Sequence, residues 1–271
     1  MLERARFLAA HSPGQKADDD FARAYILGNR EPALLDTISS SESLFRRVVA
    51  ESAGSAAPLW ANKGESLAKR QLWTEAAAAI GEAVRLWPEN SAYHGHLILT
   101  LLAAGDRAEL RRSRTDMLDR FRMTTNPMIA YYVAWRSAMA MSEEPNLSET
   151  VRLAELAVNG ALEQQRAARL NTLGAALYRA GRFAEAVRRL EEGIQKRKGQ
   201  SVAQDWVFLA MAHHRLGHHD EARRWLGRFR ARAPRPAPNA FWGELEIRLL
   251  RAEAEAVVLW DPIFPADPFA P

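Results

Sequence analysis

Four histidines, His213, His214, His218 and His219, form the one cluster whose spacing would suit a metal ion, since His214 and His218 stand four apart and would share a helix face. Gly217 lies between the two pairs, where it ends a helix rather than continuing it. A packing role is therefore favoured, and no metal or cofactor is implied. His94 and His96 are two apart and point to different helix faces. Paired carboxylates that could serve acid–base chemistry, such as Glu191 and Glu192 or Asp116 and Asp119, stand beside arginines at helix spacing, which describes a solvated face. The sequence holds no Gly-rich phosphate loop, no His-Glu-x-x-His and no Gly-x-Ser-x-Gly elbow. A protein without catalytic activity is expected.

Arg223, Arg224, Arg228, Arg230, Arg232 and Arg235 make the densest basic run, unrelieved by acid after Glu221. Helix periodicity spreads them around an outer helix instead of gathering them into a stripe, so a solvated face is favoured over a phosphate track. Nucleic-acid binding through this run is the alternative function. Bulk properties add limits. Of the 271 residues 48% are hydrophobic, enough for a continuous core, and the 26% that are charged are well mixed, leaving a net charge of only +4. The absence of cysteine excludes disulfides and thiolate metal sites. The apolar run Phe7 to Ala10 is too short for a signal-peptide core, and Leu97 to Ala104 stops far short of membrane-spanning length, so a soluble cytoplasmic protein is expected.

The elements that would position these residues are helices in pairs. One pattern is written twice between Ala167 and Arg235 at a shift of thirty-six residues. The first copy is Leu170, Leu173, Gly174, Leu177, Gly181, Phe183, Ala186 and Leu190; the second is Trp206, Leu209, Ala210, His213, Gly217, His219, Ala222 and Leu226, closed by Pro234. Leu170, Leu173, Gly174 and Leu177 fall on one helix face, with Gly174 small enough to admit the next helix closely. Gly181 ends that helix, and Ala186, Leu190 and Gly193 give the second helix an inner face that nests on the first. Neither helix buries its stripe alone, so pairs must stack.

This order of residues resembles the tetratricopeptide repeat, and the resemblance implies an all-α, right-handed solenoid of about five helix pairs. Trp60, Gly64, Leu67, Trp73, Ala76, Ile80, Ala83 and Pro88 fill the same pattern, with Lys63 in place of its first Leu. The array is expected over residues 56–236, as repeats at about 57–90, 91–124, 127–164, 167–200 and 203–236. The second is degenerate, with Arg107, Leu110 and Arg114 where an aromatic, Ala and a large apolar residue belong. The third is lengthened. Residues 1–55 are read as an irregular helical cap, with one helix from Asp18 to Gly28 and another starting at Ser39 with Glu42 in a capping box. Residues 237–260 read as an amphipathic capping helix with Leu245, Leu249 and Leu250 apolar and Glu244, Glu246, Arg248 and Arg251 polar, and 261–271 as an extended Pro-rich tail.

The family's helix phase implies a concave groove lined by the first helix of each pair. Carried onto this chain, that lining is Asn62 and Lys69, then Leu99 and Leu102, then Tyr132, Trp135, Arg136 and Met139, then Asn171, Tyr178 and Arg179, then Gln204, Phe208, Met211, His214 and Arg215. Aromatics and Met with a few basic residues suit an apolar peptide or helix with acidic flanks, with Arg136, Arg179 and Arg215 giving selectivity. The Lys and Asn set by which chaperone-binding relatives clamp a C-terminal carboxylate is not reproduced. A scaffold binding a protein or peptide partner is expected, with self-association through Ile263, Phe264 and Phe269 of the tail as a further possibility and no role for a membrane. More loosely, the Trp-rich first repeat, the Phe-Trp closing helix and the Asp-Pro-rich end resemble the C-terminal repeat region of planctomycete-type bacterial serine/threonine kinases, which would make the chain a free-standing or excised interaction module of a kinase system.

Overall fold

A computed structural model describes residues 15–28, 31–52, 56–140, 147–198, 202–231 and 241–259, with the side chains of residues 15 and 16 left aside. The proline-rich segment around Pro234 to Pro238 and the tail from Asp261, with Ile263, Phe264 and Phe269, lie outside the described residues. Within them every regular element is a helix, fourteen in all, and the fold is an all-α repeat of helix pairs. Backbone contacts divide the chain into two compact units between Ala104 and Gly105. That division falls between the two helices assigned above to the second repeat.

The first unit contains α1 (Gln15–Ile26), α2 (Pro32–Ser40), α3 (Glu42–Glu51), α4 (Ala57–Lys69), α5 (Trp73–Leu86) and α6 (Ser91–Ala104). The sequence reading of two N-terminal helices missed α2 and began α3 two residues early. Pro32 in the first turn supplies a preset φ where its missing N–H costs nothing. Ser40, whose Oγ bonds back to the Asp36 carbonyl at 2.7 Å, keeps α2 running past Ser39. The cap of α3 is Ser41, which accepts from Leu44 N at 3.4 Å. Phe21, Tyr25, Leu34, Ile38, Phe45, Val48 and Leu59 then form one core that ties α1–α3 to α4. Each such side chain, fully removed from water, contributes roughly 1.5–3 kcal/mol. At its edge Phe45 meets Trp60 edge-on with ring centres 4.8 Å apart. Lys63 Nζ sits 4.1 Å over the Phe45 ring and 2.7 Å from Glu42. The Lys63 that breaks the repeat pattern thus fastens α3 to α4. Its hydrogen bond, ahead of that from Arg46, lowers the pKa of Glu42.

In the second unit, α7 (Arg107–Phe121) precedes the pairs α8 (Pro127–Met139) with α9 (Leu147–Asn159), α10 (Glu163–Arg179) with α11 (Phe183–Lys196), and α12 (Ala203–Arg215) with α13 (His219–Ala231); α14 (Phe241–Leu259) closes the unit. The arginine that made the second repeat look degenerate has a buried role. Arg114 is 1% exposed. Its Nε donates to Ser137 Oγ at 3.0 Å and its Nη2 to Thr150 Oγ1 at 3.5 Å, while those two hydroxyls lie 2.7 Å apart. A polar knot between α7, α8 and α9 replaces the apolar plug that the pattern led one to expect, and it holds because the guanidinium is hydrogen-bonded where it is desolvated.

Glycines set the distance within two of the pairs. A Cβ built on Gly174 would lie 2.5 Å from Leu190 Cγ and 3.3 Å from the Ala186 carbonyl oxygen, and one on Gly64 would lie 2.4 Å from Ile80 Cγ1. The turns are also shared. At Gly181, φ is +73°, and the amide of Arg182 reaches back to the Leu177 carbonyl at 3.0 Å. At Gly217, φ is +78°, with His218 N to His213 O at 2.9 Å. The α4–α5 turn repeats this bond, Leu72 N to Leu67 O at 3.0 Å, but places Gln71 at φ +61°.

Two stability changes are expected. Gly174→Ala forces Cβ into Leu190 and lowers stability by about 1–3 kcal/mol. Gln71→Gly relieves a left-handed non-glycine and raises it by about 0.5–1 kcal/mol after the entropy of the unfolded glycine is set against the gain. Urea unfolding of both variants followed by circular dichroism measures each.

Candidate functional site: a groove closed by the protein's own helix

The sixteen lining residues expected from the repeat phase are split by the fold. Asn62, Lys69, Leu99 and Leu102 belong to the first unit. There Asn62 donates to Asp36 Oδ1 at 3.1 Å, Lys69 pairs with Glu65 at 2.7 Å, Leu99 is buried, and Leu102 is half-buried. The remaining twelve belong to the second unit. Asn171, expected in the groove, instead straps the fourth repeat to the fifth. Its Nδ2 donates to Asp205 Oδ1 at 2.8 Å, and the other Asp205 oxygen receives Arg197 Nη1 at 2.6 Å and the Val202 amide at 3.0 Å. Burial raises the Asp205 carboxyl above the usual range against the pull of these donors. Tyr132 faces outward, 46% exposed beside Tyr131, whose ring carries the Arg169 guanidinium at 3.6 Å.

Trp135, Arg136, Tyr178, Arg179, Gln204 and Phe208 do come together, but not around an open space. Phe208, wholly buried, packs at 6.0 Å from Trp135 and 5.8 Å from Tyr178, both edge-on, and Met139 and Met211 lie buried as well. Over this aromatic floor α14 is laid. Glu246 Oε2 accepts from Trp135 Nε1 at 3.0 Å and from Arg136 Nη1 at 2.6 Å, and Glu246 Oε1 accepts from Gln204 Nε2 at 3.3 Å. One repeat-spacing further along the first helices, Arg179 grips Glu253 with both terminal nitrogens, one bond at 2.7 Å, while its Nε donates to the Ala138 carbonyl at 2.6 Å. Burial pulls the Arg179 guanidinium downward, but the adjoining Glu253 carboxylate outweighs it and raises its pKa. Tyr178 is raised chiefly by burial and then by the Glu253 carboxylate, against the pull of Arg179 and Arg215.

Two expectations are corrected here. The open groove of the second unit is occupied, and α14, which packs on α12 and α13 of the last pair, does not carry Glu246 on its solvent side: Glu246 is 6% exposed and turned into the repeats. On a helical wheel a carboxylate beside Leu245 and Leu250 counts as polar surface, because isolated charges are seldom buried. The reversal comes from Arg136, more than a hundred residues away in sequence, which neutralises it once the pairs are stacked. Glu253 carried no signal of its own; a hint lies in its seven-residue spacing from Glu246, which places both on one face.

The other candidate clusters are placed as well. His213 Nδ1 lies 3.3 Å from His218 Nδ1, and the His214 and His219 rings are 5.0 Å apart across the α12–α13 turn. His213 is half-buried, whereas His219, expected inward, is exposed. Among the described residues no three His, Cys, Asp or Glu side chains are grouped to hold a metal. In the basic run Arg223 pairs with Asp220 at 3.3 Å, Arg224 with Glu221, and Arg230 with Glu255 at 3.2 Å, while Arg228 stacks 4.7 Å over Trp225. Arg232 and Arg235 lie outside the described residues.

Residues 61–109 match the tetratricopeptide repeat family. Residues 100–256, more than half of the chain and inclusive of most of α14, match the family described as the N-terminal domain of the ESX-1 type VII secretion system protein EccA1, and the chain belongs to that family. Among curated proteins none matches the sequence. Similar solved structures include pilF of Pseudomonas aeruginosa, 15% identical, covering 78% of this chain and 93% of that one with a TM-score of 0.44. A tetratricopeptide repeat protein of Parabacteroides merdae is 10% identical, covers 92% and 96%, and has a TM-score of 0.48. Yeast Tom70 is 15% identical and covers 94% of this chain and 50% of that one, with a TM-score of 0.39. No helix among the described residues is long and apolar enough to cross a membrane.

The histidine pair gives a pH dependence. Burial, then the neighbouring His218, lowers the pKa of His213 below its ordinary 6.5. The unfolded chain therefore takes up the proton first, and the stability contributed by neutral His213 is present above about pH 6.5 and lost as pH falls through the folded value. Between pH 7.5 and 5.5 the Tm of the wild type is expected to fall more than that of His213→Phe, as differential scanning fluorimetry would record.

Proposed function

We propose that the chain is a non-catalytic scaffold of a bacterial type VII secretion system, acting in the cytoplasm, whose second unit holds a helix of a partner protein. The observation that carries this reading is the groove between the first helices of three repeats: it seats a helix, here α14, on an aromatic floor with two arginines as charge anchors. Repeat folds of this type present such faces for protein recognition, and helix-in-groove binding takes its affinity from apolar anchors and its register from the flanking charges. The family match favours a secretion system over the kinase system to which the ends of the chain bear a looser likeness. The nucleic-acid alternative is weakened by the ion pairs that spread through the basic run on α13. Association through the tail at 261–271 stays a separate proposal, testable by deleting those residues and measuring the oligomeric state.

Purification of the tagged chain from cells carrying a type VII secretion system, followed by light scattering of the reconstituted pair, is expected to yield a defined complex with a protein of that system. Titration with single- and double-stranded oligonucleotides is expected to show no steep salt dependence. Oligonucleotide affinity that collapses as salt rises, without any protein complex, would replace the scaffold reading with the alternative.

A further inference from the structure

The occupant of the groove describes what else could fill it. Arg136 and Arg179 are 16% and 6% exposed at the side chain, and each is met by one carboxylate of α14. Glu246 and Glu253 are seven residues apart, two helical turns, so both project from one side, and Leu250 between them is fully buried. The other side of α14, with Glu244, Arg248 and Arg251, is exposed. These attachments run from side chain to side chain, onto helices whose backbones are complete without α14. Residues 232–240, which join α13 to α14, include Pro234, Pro236 and Pro238, so α14 is no continuation of the last repeat helix.

We propose that α14 is an internal stand-in for the groove's true ligand: an amphipathic helix of a partner protein bearing two carboxylates seven residues apart around an apolar residue, which exchanges with α14. This rests on the scaffold reading above and names its partner class. Charge decides the class. An apolar or basic helix would leave two buried guanidinium groups without counter-charge, a strong penalty against the wrong ligand, whereas an acidic helix of matching spacing restores the carboxylate that each of Arg136 and Arg179 meets. Tethering sets the threshold. A helix held on a short segment competes at an effective concentration of about the millimolar range, so a partner meets a groove that is mostly self-occupied and binds more weakly than its intrinsic affinity.

The test uses the full chain and a fluorescent peptide of residues 241–259 as the probe. In hydrogen-exchange mass spectrometry of the wild type, amides of α14 should exchange at least about tenfold faster than those of α10 and α12, the signature of a helix that opens while the repeats stay folded. In fluorescence anisotropy the peptide should bind the E246Q/E253Q chain about tenfold or more tighter than the wild type, and an E246Q/E253Q peptide should bind neither. Exchange of α14 only together with α10 and α12 would make it an inseparable part of the core and overturn the proposal, whether or not the variant folds. Equal binding of the charged and uncharged peptides would overturn the charge rule and with it the partner class. A secretion-system protein that binds while α14 stays protected also overturns this inference yet leaves the scaffold reading standing. An opening helix and a binding peptide, with no secretion partner found, uphold the inference while the secretion assignment fails.

Discussion

Two guanidinium groups on the inner face of the second unit must be neutralised, and that requirement governs how the unit is finished. Arg136 and Arg179 project from α8 and α10 among Trp135, Tyr178 and Phe208, where water is largely excluded. Leaving either without a partner would cost about 3–5 kcal/mol, the typical effect of breaking a buried ion pair. The face therefore cannot simply be covered by another apolar helix. Glu246 and Glu253 meet the requirement and fix the axial position of α14 at the same time, because a slip of one residue would turn both carboxylates away. Trp135 and Gln204 use up further lone pairs of Glu246, so the desolvated carboxylate is hydrogen-bonded throughout its length.

The same economy of buried polarity recurs elsewhere in that unit. Arg114 fills with a guanidinium the place that a large apolar residue takes in a regular repeat, and Ser137 and Thr150 supply acceptors from the two helices beside it. Asp205 joins the fourth and fifth repeats by receiving Asn171, Arg197 and the Val202 amide. Such links are directional where apolar packing is not, so they fix which residue faces which after the helices have stacked. The first unit relies more on apolar packing, from Phe21 to Leu59, with Lys63 and its aromatic neighbours at the edge.

Regular features were legible because they are local. Gly174 against Leu190, and the left-handed glycines at Gly181 and Gly217, follow from spacing within about twenty residues, and the thirty-six-residue shift displayed them twice. The start of α8 is as local, the Asn126 side chain before Pro127 accepting from Met128 and Ile129 within one turn. The short helix α2 was hidden since its buried positions, Leu34 and Ile38, give a single pair of apolar residues rather than a stripe. In the site, the aromatic and arginine composition of the inner face could be read off by helix phase, but Asn171, Tyr132 and Leu99 show that phase alone does not say whether a residue meets solvent, a neighbouring repeat or the core.

The sequence by itself determined the all-helical repeat, the glycine turns within its regular pairs, and the residue types along the first helices, since all of these depend on backbone geometry and contacts between near neighbours. Only the tertiary structure decided that Glu246 and Glu253 are interior, that Arg114 belongs in the core, and that the inner face of the second unit is filled. Charge burial is settled by the sum of desolvation and pairing, and the partners that tip that sum, Arg136 for Glu246 and Arg179 for Glu253, reach them only when chain segments more than seventy residues apart are folded against each other.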